Sequence, residues 1–238
     1  MDLVVCRSIL RHPPRITTEA RPGGGVRHMV GLEPGDAAVY RALVARVAAA
    51  LERSLGPAVV ANRVVGTPLL LEDWRVAHVR WRAAIGRPTA RGLRVHVDVA
   101  DCYDSIRPEV VAASLRAAGA DPRVLERLLH ELADHGVPGL PIGPEPSAVL
   151  ANAVLAPLDV ALAVAGVPHV RWVDDIVAFA TERRQAMRVT DLVRRELEAL
   201  GLRPNEAKTR VEDGRTVARP AASAEPASGA RSGAGGVR

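Results

Sequence analysis

The run VRWVDDIVAFA, residues 170–180, sets two adjacent carboxylates, Asp174 and Asp175, inside an otherwise apolar stretch that reads as buried strand. A buried carboxylate without a partner is costly, so the placement calls for something that compensates it. A third acid lies far upstream. In RGLRVHVDV, residues 91–99, alternation sends Leu93, Val95, Val97 and Val99 to one face and Arg94, His96 and Asp98 to the other. With the Asp174–Asp175 hairpin paired beside that strand, three carboxylates meet at one edge of a sheet. Like charges so close repel one another. Their hard oxygens suit Mg²⁺ or Mn²⁺, and two such ions about 3.5–4 Å apart stabilise the attacking and leaving oxygens of phosphoryl transfer. Aspartate also favours turns and strand ends on its own account, so the pair alone fits an ordinary turn equally well.

The elements that must position these acids follow from periodicity. Residues 1–35 are rich in Pro, Gly and Arg, with RPGGGVRHMV as a glycine turn between two extended pieces. DAAVYRALVARVAAALERSL reads as a helix with Asp36 as N-cap and Gly56-Pro57 as terminator. Residues 57–92 resist assignment apart from helix around 73–85. After the Asp98 strand come two glycine-terminated helices, RPEVVAASLRAAG and DPRVLERLLHELADHG, and then the loop GLPIGPEP. Ser147 is placed to N-cap the apolar helix that follows, with Pro157 expected to kink it or start a second segment. Beyond the hairpin, ERRQAMRVTDLVRRELEALG is an amphipathic helix and TRV a short last strand. This order predicts an α+β fold of the split βαβ kind, an antiparallel sheet with helices on one face and the other face open to a ligand. No internal repeat is present.

Composition narrows the class. At 238 residues and 48% hydrophobic the chain has ample material for a core. The early apolar patch is cut by Arg7 and Arg11, and no run of about 18 uncharged apolar residues appears. A cytoplasmic protein with no membrane partner is expected. Cys6 and Cys102 form neither a disulfide framework nor a metal cluster. The formal charge of +5 suits a polyanionic partner without requiring one. Among 32 lysine and arginine residues a single lysine occurs, Lys208. Lysine can be tuned to donate a proton, whereas arginine, with a pKa above about 12, cannot.

Four segments, VDVADCYDSI, LPIGPEPSAVLAN, RWVDDIVAF and GLRPNEAKTRV, resemble in order and separation the palm motifs of reverse transcriptases, in particular bacterial ones of the group II intron, retron and defence type. The resemblance spans residues 93–212. ARPGGGVRHMV is similar to the fingers segment that contacts the incoming triphosphate. A right-hand polymerase palm at 93–212 is implied, after a small fingers-like region at 1–92 and before a disordered tail at 213–238. RNA template, DNA primer and dNTPs would be the partners and Mg²⁺ the cofactor, with Mn²⁺ as the alternative ion. Carried over residue by residue, Asp98 ligates both metals, assisted by the Val99 carbonyl, and Asp174 is the second bridging ligand. Asp175 supports them. Tyr103, one of only two tyrosines, matches the aromatic residue beneath the incoming sugar that excludes a 2′-hydroxyl. Pro141, Gly143, Ser147 and Asn152 match the loop and helix that position template and nascent pair. Arg21 and Arg27 match the residues that grip the β- and γ-phosphates, a task suited to guanidinium. Lys208 matches the lysine near the pyrophosphate leaving group.

Three departures qualify the resemblance. Ile142 stands where the family usually has Gln, and Trp172 replaces the usual Tyr or Phe before the acids. No helical thumb is recognisable after Glu212, so the chain is a fragment, or a partner protein supplies the clamp, or it is not a processive polymerase. A rival expectation is a nucleic-acid-binding or defence-complex subunit built on a vestigial palm.

Overall fold

A computed structural model describes residues 8–20, 25–86 and 92–213. A four-stranded antiparallel sheet forms its centre, in the order β6-β7-β5-β8, from β5 (Leu93–Asp98), β6 (His169–Trp172), β7 (Asp175–Ala180) and β8 (Arg210–Asp213). Strand alternation divides its side chains between two faces as the sequence implies. Val95 pairs with Ala178 and Val97 with Ile176 on one face, while His96 pairs with Val177 and Asp98 with Asp175 on the other.

The first face is covered by helices. These are α4 (Pro108–Ala117), α5 (Arg123–Asp134), α6 (Pro146–Val164) and α7 (Arg183–Ala199), joined by α1 (Pro34–Ser54). Each buries a stripe at helical spacing: Tyr40, Val44, Ala48 and Leu51 on α1, Leu125, Leu128, Leu129 and Leu132 on α5, and Ala186, Val189, Val193 and Leu197 on α7. α6 is buried almost all round and runs unbroken through Pro157, where a kink or a second segment was expected. Packing against α1, α4 and α7 overrides the local cost of the proline. By length and hydropathy alone α6 is the one helix among the described residues able to cross a membrane, but most of it lies inside the protein. It is a core helix.

The second face is not fully open, contrary to expectation. Helix α2 (Trp74–Gly86) lies across β6 and β7, where Val60, Ile85, Val170 and Val177 make a small second core flanked by Trp81, Trp172 and Phe179. Trp172 meets the rings of His78 and Trp81 at 5.8 and 6.2 Å. Helix α2 thus covers the β6–β7 side of this face as far as Trp172, the register partner of Asp175. The segment between α1 and α2 also holds a small hairpin, β3 (Val64–Gly66) with β4 (Leu70–Leu71), which periodicity did not suggest. Tyr40, Val44, Leu51 and Leu69 share one core with the sheet, so hydrophobic packing is continuous across the boundary expected at residue 92.

At the N-terminal side, β1 (Arg15–Ala20) and β2 (Val26–Gly31) form an exposed antiparallel hairpin. The chain leading into it is held by two carboxylates. Glu131 accepts the amides of Ile9 and Leu10, and Asp36 those of Arg11 and His12 at 2.9 and 3.0 Å. Asp36 is thus not the N-cap of α1. Glu33 takes that position with Pro34 in the first turn, while the Asp36 carboxylate turns inward, its pKa lowered by the amides and by His12 against the opposing effect of burial.

Candidate active site

The strand pairing brings the sequence-predicted acids together. Asp98, the last residue of β5, is directly opposite Asp175, the first of β7. Asp174 occupies the two-residue turn before it, and its carbonyl accepts the Val99 amide at 3.3 Å. The charges act on one another strongly. Burial first, then the Asp98 carboxylate, pushes the Asp174 pKa up to about 6. Asp175 is pushed up to about 7 by burial and then by Asp174 and Asp98.

Asp98 is held by a turn that follows α7. Lys208 Nζ donates to Asp98 Oδ1 and Asn205 Nδ2 to Asp98 Oδ2, both at 3.0 Å. The Asn205 amide also donates to the Asp98 carbonyl at 2.7 Å, and the Ala100 amide to the Arg203 carbonyl at 2.9 Å. The short segment from Asp98 through Val99 to Ala100 is thereby fixed by the hairpin on one side and by this turn on the other. Asn205 was not singled out from sequence, although its position three residues before Lys208 in one turn is a readable signal.

Tyr103 lies on α3 (Cys102–Ser105), a short turn entered through Asp101 in a left-handed conformation. Burial and the Asp174 charge both raise its pKa, and the Arg27 charge acts on both Tyr103 and Asp174. Arg27 lies on β2, half-buried. Arg21 lies outside the described residues. The LPIG loop closes against both elements. The Leu140 amide donates to the Tyr103 carbonyl at 2.8 Å, and the Val30 amide of β2 to the Ile142 carbonyl at 2.7 Å. Gly139 allows this approach, because a Cβ there would sit 2.1 Å from the Tyr103 carbonyl oxygen. Gly143 carries a φ of +121°, which disfavours any side chain. Pro141 is buried beside it.

Ser147 and Asn152, matched by the resemblance to the template-positioning helix, both lie on α6, and the cap expected at Ser147 is corrected. Ser147 is not the N-cap of α6, a position held by Glu145. It is fully buried and shares a 3.0 Å hydrogen bond with the Tyr40 hydroxyl. Asn152 is also fully buried, donating to the Ala61 carbonyl at 2.8 Å and accepting from Arg171 at 2.9 Å. Both side chains face the protein interior, so their polar atoms are engaged there.

The donor set fits a divalent cation. The Asp98, Asp174 and Asp175 carboxylates are hard oxygen ligands whose mutual repulsion a cation would offset. Among the described residues no three His, Cys, Asp or Glu side chains are gathered closely enough to form a complete metal cage. Mg²⁺ keeps waters and substrate phosphates among its ligands and needs only one or two carboxylates from the protein.

A family model described as "Reverse transcriptase (RNA-dependent DNA polymerase)" matches residues 37–218. No curated protein matches the sequence. Among solved structures, the fold resembles apo telomerase from Candida tropicalis truncated from its C-terminal domain, with a TM-score of 0.54 and 12% identity over 84% of this chain and 49% of that one. The apo telomerase of Candida tropicalis gives 0.54 and 12% over 84% and 44%. Telomerase from Candida albicans in complex with a TWJ fragment of telomeric RNA gives 0.53 and 12% over 87% and 43%. At this identity the likeness is one of fold, and the chain spans about half or less of each of these relatives.

Proposed function

The chain belongs to the reverse transcriptase family, and from that premise we propose that it extends a nucleic-acid 3′-hydroxyl with deoxynucleoside triphosphates on an RNA template. The observation that carries this reading is the register pairing of Asp98 with Asp175 beside Asp174, because a sheet edge with three mutually repelling acids has no structural use of its own. We assign the subtype to the bacterial group II intron, retron and defence enzymes on the strength of the palm motifs.

Asp98 and Asp174 would hold Mg²⁺ or Mn²⁺, with Asp175 and the Val99 carbonyl in support. Bound there, such ions would supply activation of the 3′-hydroxyl and polarisation of the α-phosphate. The remaining tasks belong to side chains. Arg27, with Arg21, neutralises the β- and γ-phosphates. The Tyr103 ring sets the floor beneath the sugar and leaves no room for a 2′-hydroxyl. The Lys208 ammonium, 3.0 Å from Asp98, holds a proton within the site for the departing pyrophosphate. Pro141 and Gly143 shape the loop that carries the nascent pair. A protein partner would supply the thumb that grips the duplex.

Primer extension on an RNA template with Mg²⁺ and with Mn²⁺, comparing wild type with Asp174→Ala, tests the proposal. Incorporation by the wild type alone is expected. Equal incorporation by two folded proteins would overturn it. A second reading, a nucleic-acid-binding or defence-complex subunit that does not polymerise, draws on Ile142 in the nucleotide loop. It predicts salt-dependent RNA or DNA binding indifferent to Asp174→Ala.

A further inference from the structure

Beneath the carboxylate turn, on the opposite sheet face from Asp98 and Asp175, lies an arginine with no exposed surface. Arg171 of β6 is paired with Ile176 and so points toward the helices. Its Nε and Nη2 donate to the two oxygens of Asp159 on α6 at 2.9 and 2.6 Å, a bidentate pair. Nη1 donates to Asn152 Oδ1 at 2.9 Å, and Nη2 also reaches the Asn152 carbonyl at 3.2 Å. Asp159 is 3.3 Å from His169 Nε2, and the pull of Arg171 and His169 lowers its pKa against the effect of burial. Burying such a charge is tolerable only when it is paired and hydrogen-bonded, as it is here.

One bond of this network reaches the site. Nη1 donates at 2.9 Å to the carbonyl of Val173, the residue immediately before Asp174. Val173 has a φ of +52°, a strained outlier for a β-branched residue. The carbonyl after it, that of Asp174, is held by the Val99 amide. Both peptide groups flanking the Asp174 side chain are therefore pinned, one by the Asp98 strand and the other by the guanidinium.

We infer that Arg171 is a positioning residue for Asp174. It holds the turn in its strained conformation through the Val173 carbonyl, while Asp159 and Asn152 fix the orientation of the guanidinium. The network also ties the turn to the segment before β3, since Asn152 donates to the Ala61 carbonyl. Lysine lacks the planar fork needed to serve a bidentate carboxylate, an amide and a carbonyl together. The geometric part of this inference stands without any activity. Its catalytic consequence rests on the polymerase reading above.

Residue-resolved native-state hydrogen exchange on the full chain tests it, with primer extension in parallel. In Arg171→Lys the amides of Val99, Asp174 and Asp175 should exchange faster by about tenfold or more, while those of α5 keep their protection. Adding Val173→Gly should return the turn toward wild-type protection, because glycine adopts a positive φ without strain. Loss spread evenly through α4 to α7, an unaltered turn, or a further loss on adding Val173→Gly would overturn the inference. Should Arg171→Lys not fold, Asn152→Ala decides instead: the same local pattern at smaller amplitude supports the inference, and an unchanged turn overturns it. In extension, Arg171→Lys should lower kcat by about tenfold or more with the dNTP KM within about twofold. A wild type that extends nothing removes the polymerase reading and leaves the exchange result to decide on Arg171.

Discussion

Lys208 Nζ stands 3.0 Å from Asp98 Oδ1, so the only lysine of the chain serves as counter-ion to the carboxylate that ends β5. The pair is half in solvent on the lysine side and nearly buried on the aspartate side. Two properties of the side chain, its charge and its ability to give up a proton, can be separated by substitution.

In the metal-free protein, Lys208→Met should lower Tm by about 2–4 °C, the counterpart of about 1 kcal/mol in a domain of this size. Lys208→Arg should keep most of that stability. Both should slow extension by about 10²-fold or more, because guanidinium retains the charge but does not donate a proton. A Lys208→Arg enzyme as fast as wild type would show that charge alone matters.

The raised pKa values of Asp174 and Asp175 set a stability trend with pH. In the folded, metal-free protein these groups hold protons that the unfolded chain has already released, between the ordinary carboxylate range near 4 and about 6 for Asp174 or about 7 for Asp175. Their contribution is thus fully present at low pH and is lost as pH rises through that window. Thermal melts with chelator present should show Asp175→Asn gaining Tm over wild type at pH 8, and that gain shrinking toward pH 5.

Added Mg²⁺ or Mn²⁺ should raise the Tm of the wild type at pH 8, since a cation bound only by the folded state stabilises it. Asp98→Asn should respond weakly. Equal shifts in the two proteins would place the ion elsewhere.

Close backbone approach at Gly139 predicts a localised cost. A Cβ at this position would overlap the Tyr103 and Asp104 carbonyl groups, so Gly139→Ala should destabilise by about 1–3 kcal/mol and displace the turn carrying Tyr103. Tyr103→Val should leave the fold intact and raise ribonucleotide incorporation relative to deoxynucleotide by at least about tenfold. Unchanged sugar selectivity in Tyr103→Val would remove the tyrosine from that role.

Much of the site is legible because it depends on short-range periodicity. The alternation in RGLRVHVDV assigns Asp98 and the valines to their faces, and the apolar run around Asp174 and Asp175 marks the hairpin. Helical spacing likewise finds α1, α4, α5 and α7. What escaped depends on partners distant in sequence. Asp36 looks like a helix cap locally, but the amides it binds belong to Arg11 and His12. Ser147 looks like a helix cap locally, but its partner is Tyr40, 107 residues away, and Asn152 donates to Ala61, 91 residues away. Helix was expected around 73–85 with no partner assigned, and it is Trp81, Ala84 and Ile85 that turn one side of α2 onto the sheet. Arg171 presented the same oddity as the acids, a charge within an apolar run, and only the fold reveals that it answers to Asp159.

The two carboxylates that grasp the chain before β1 have a mechanical consequence. From Ile9 to His12 the backbone is fastened to α5 and α1, and at Val30 it is fastened again to the LPIG loop through Ile142. Between these moorings Pro13 and Pro14 restrict rotation, so β1 and β2 both start or end at a fixed root. On the polymerase reading proposed above, a triphosphate held by Arg27 would load β2 and, through the hydrogen bond between the Val30 amide and the Ile142 carbonyl, the loop that bears Ile142.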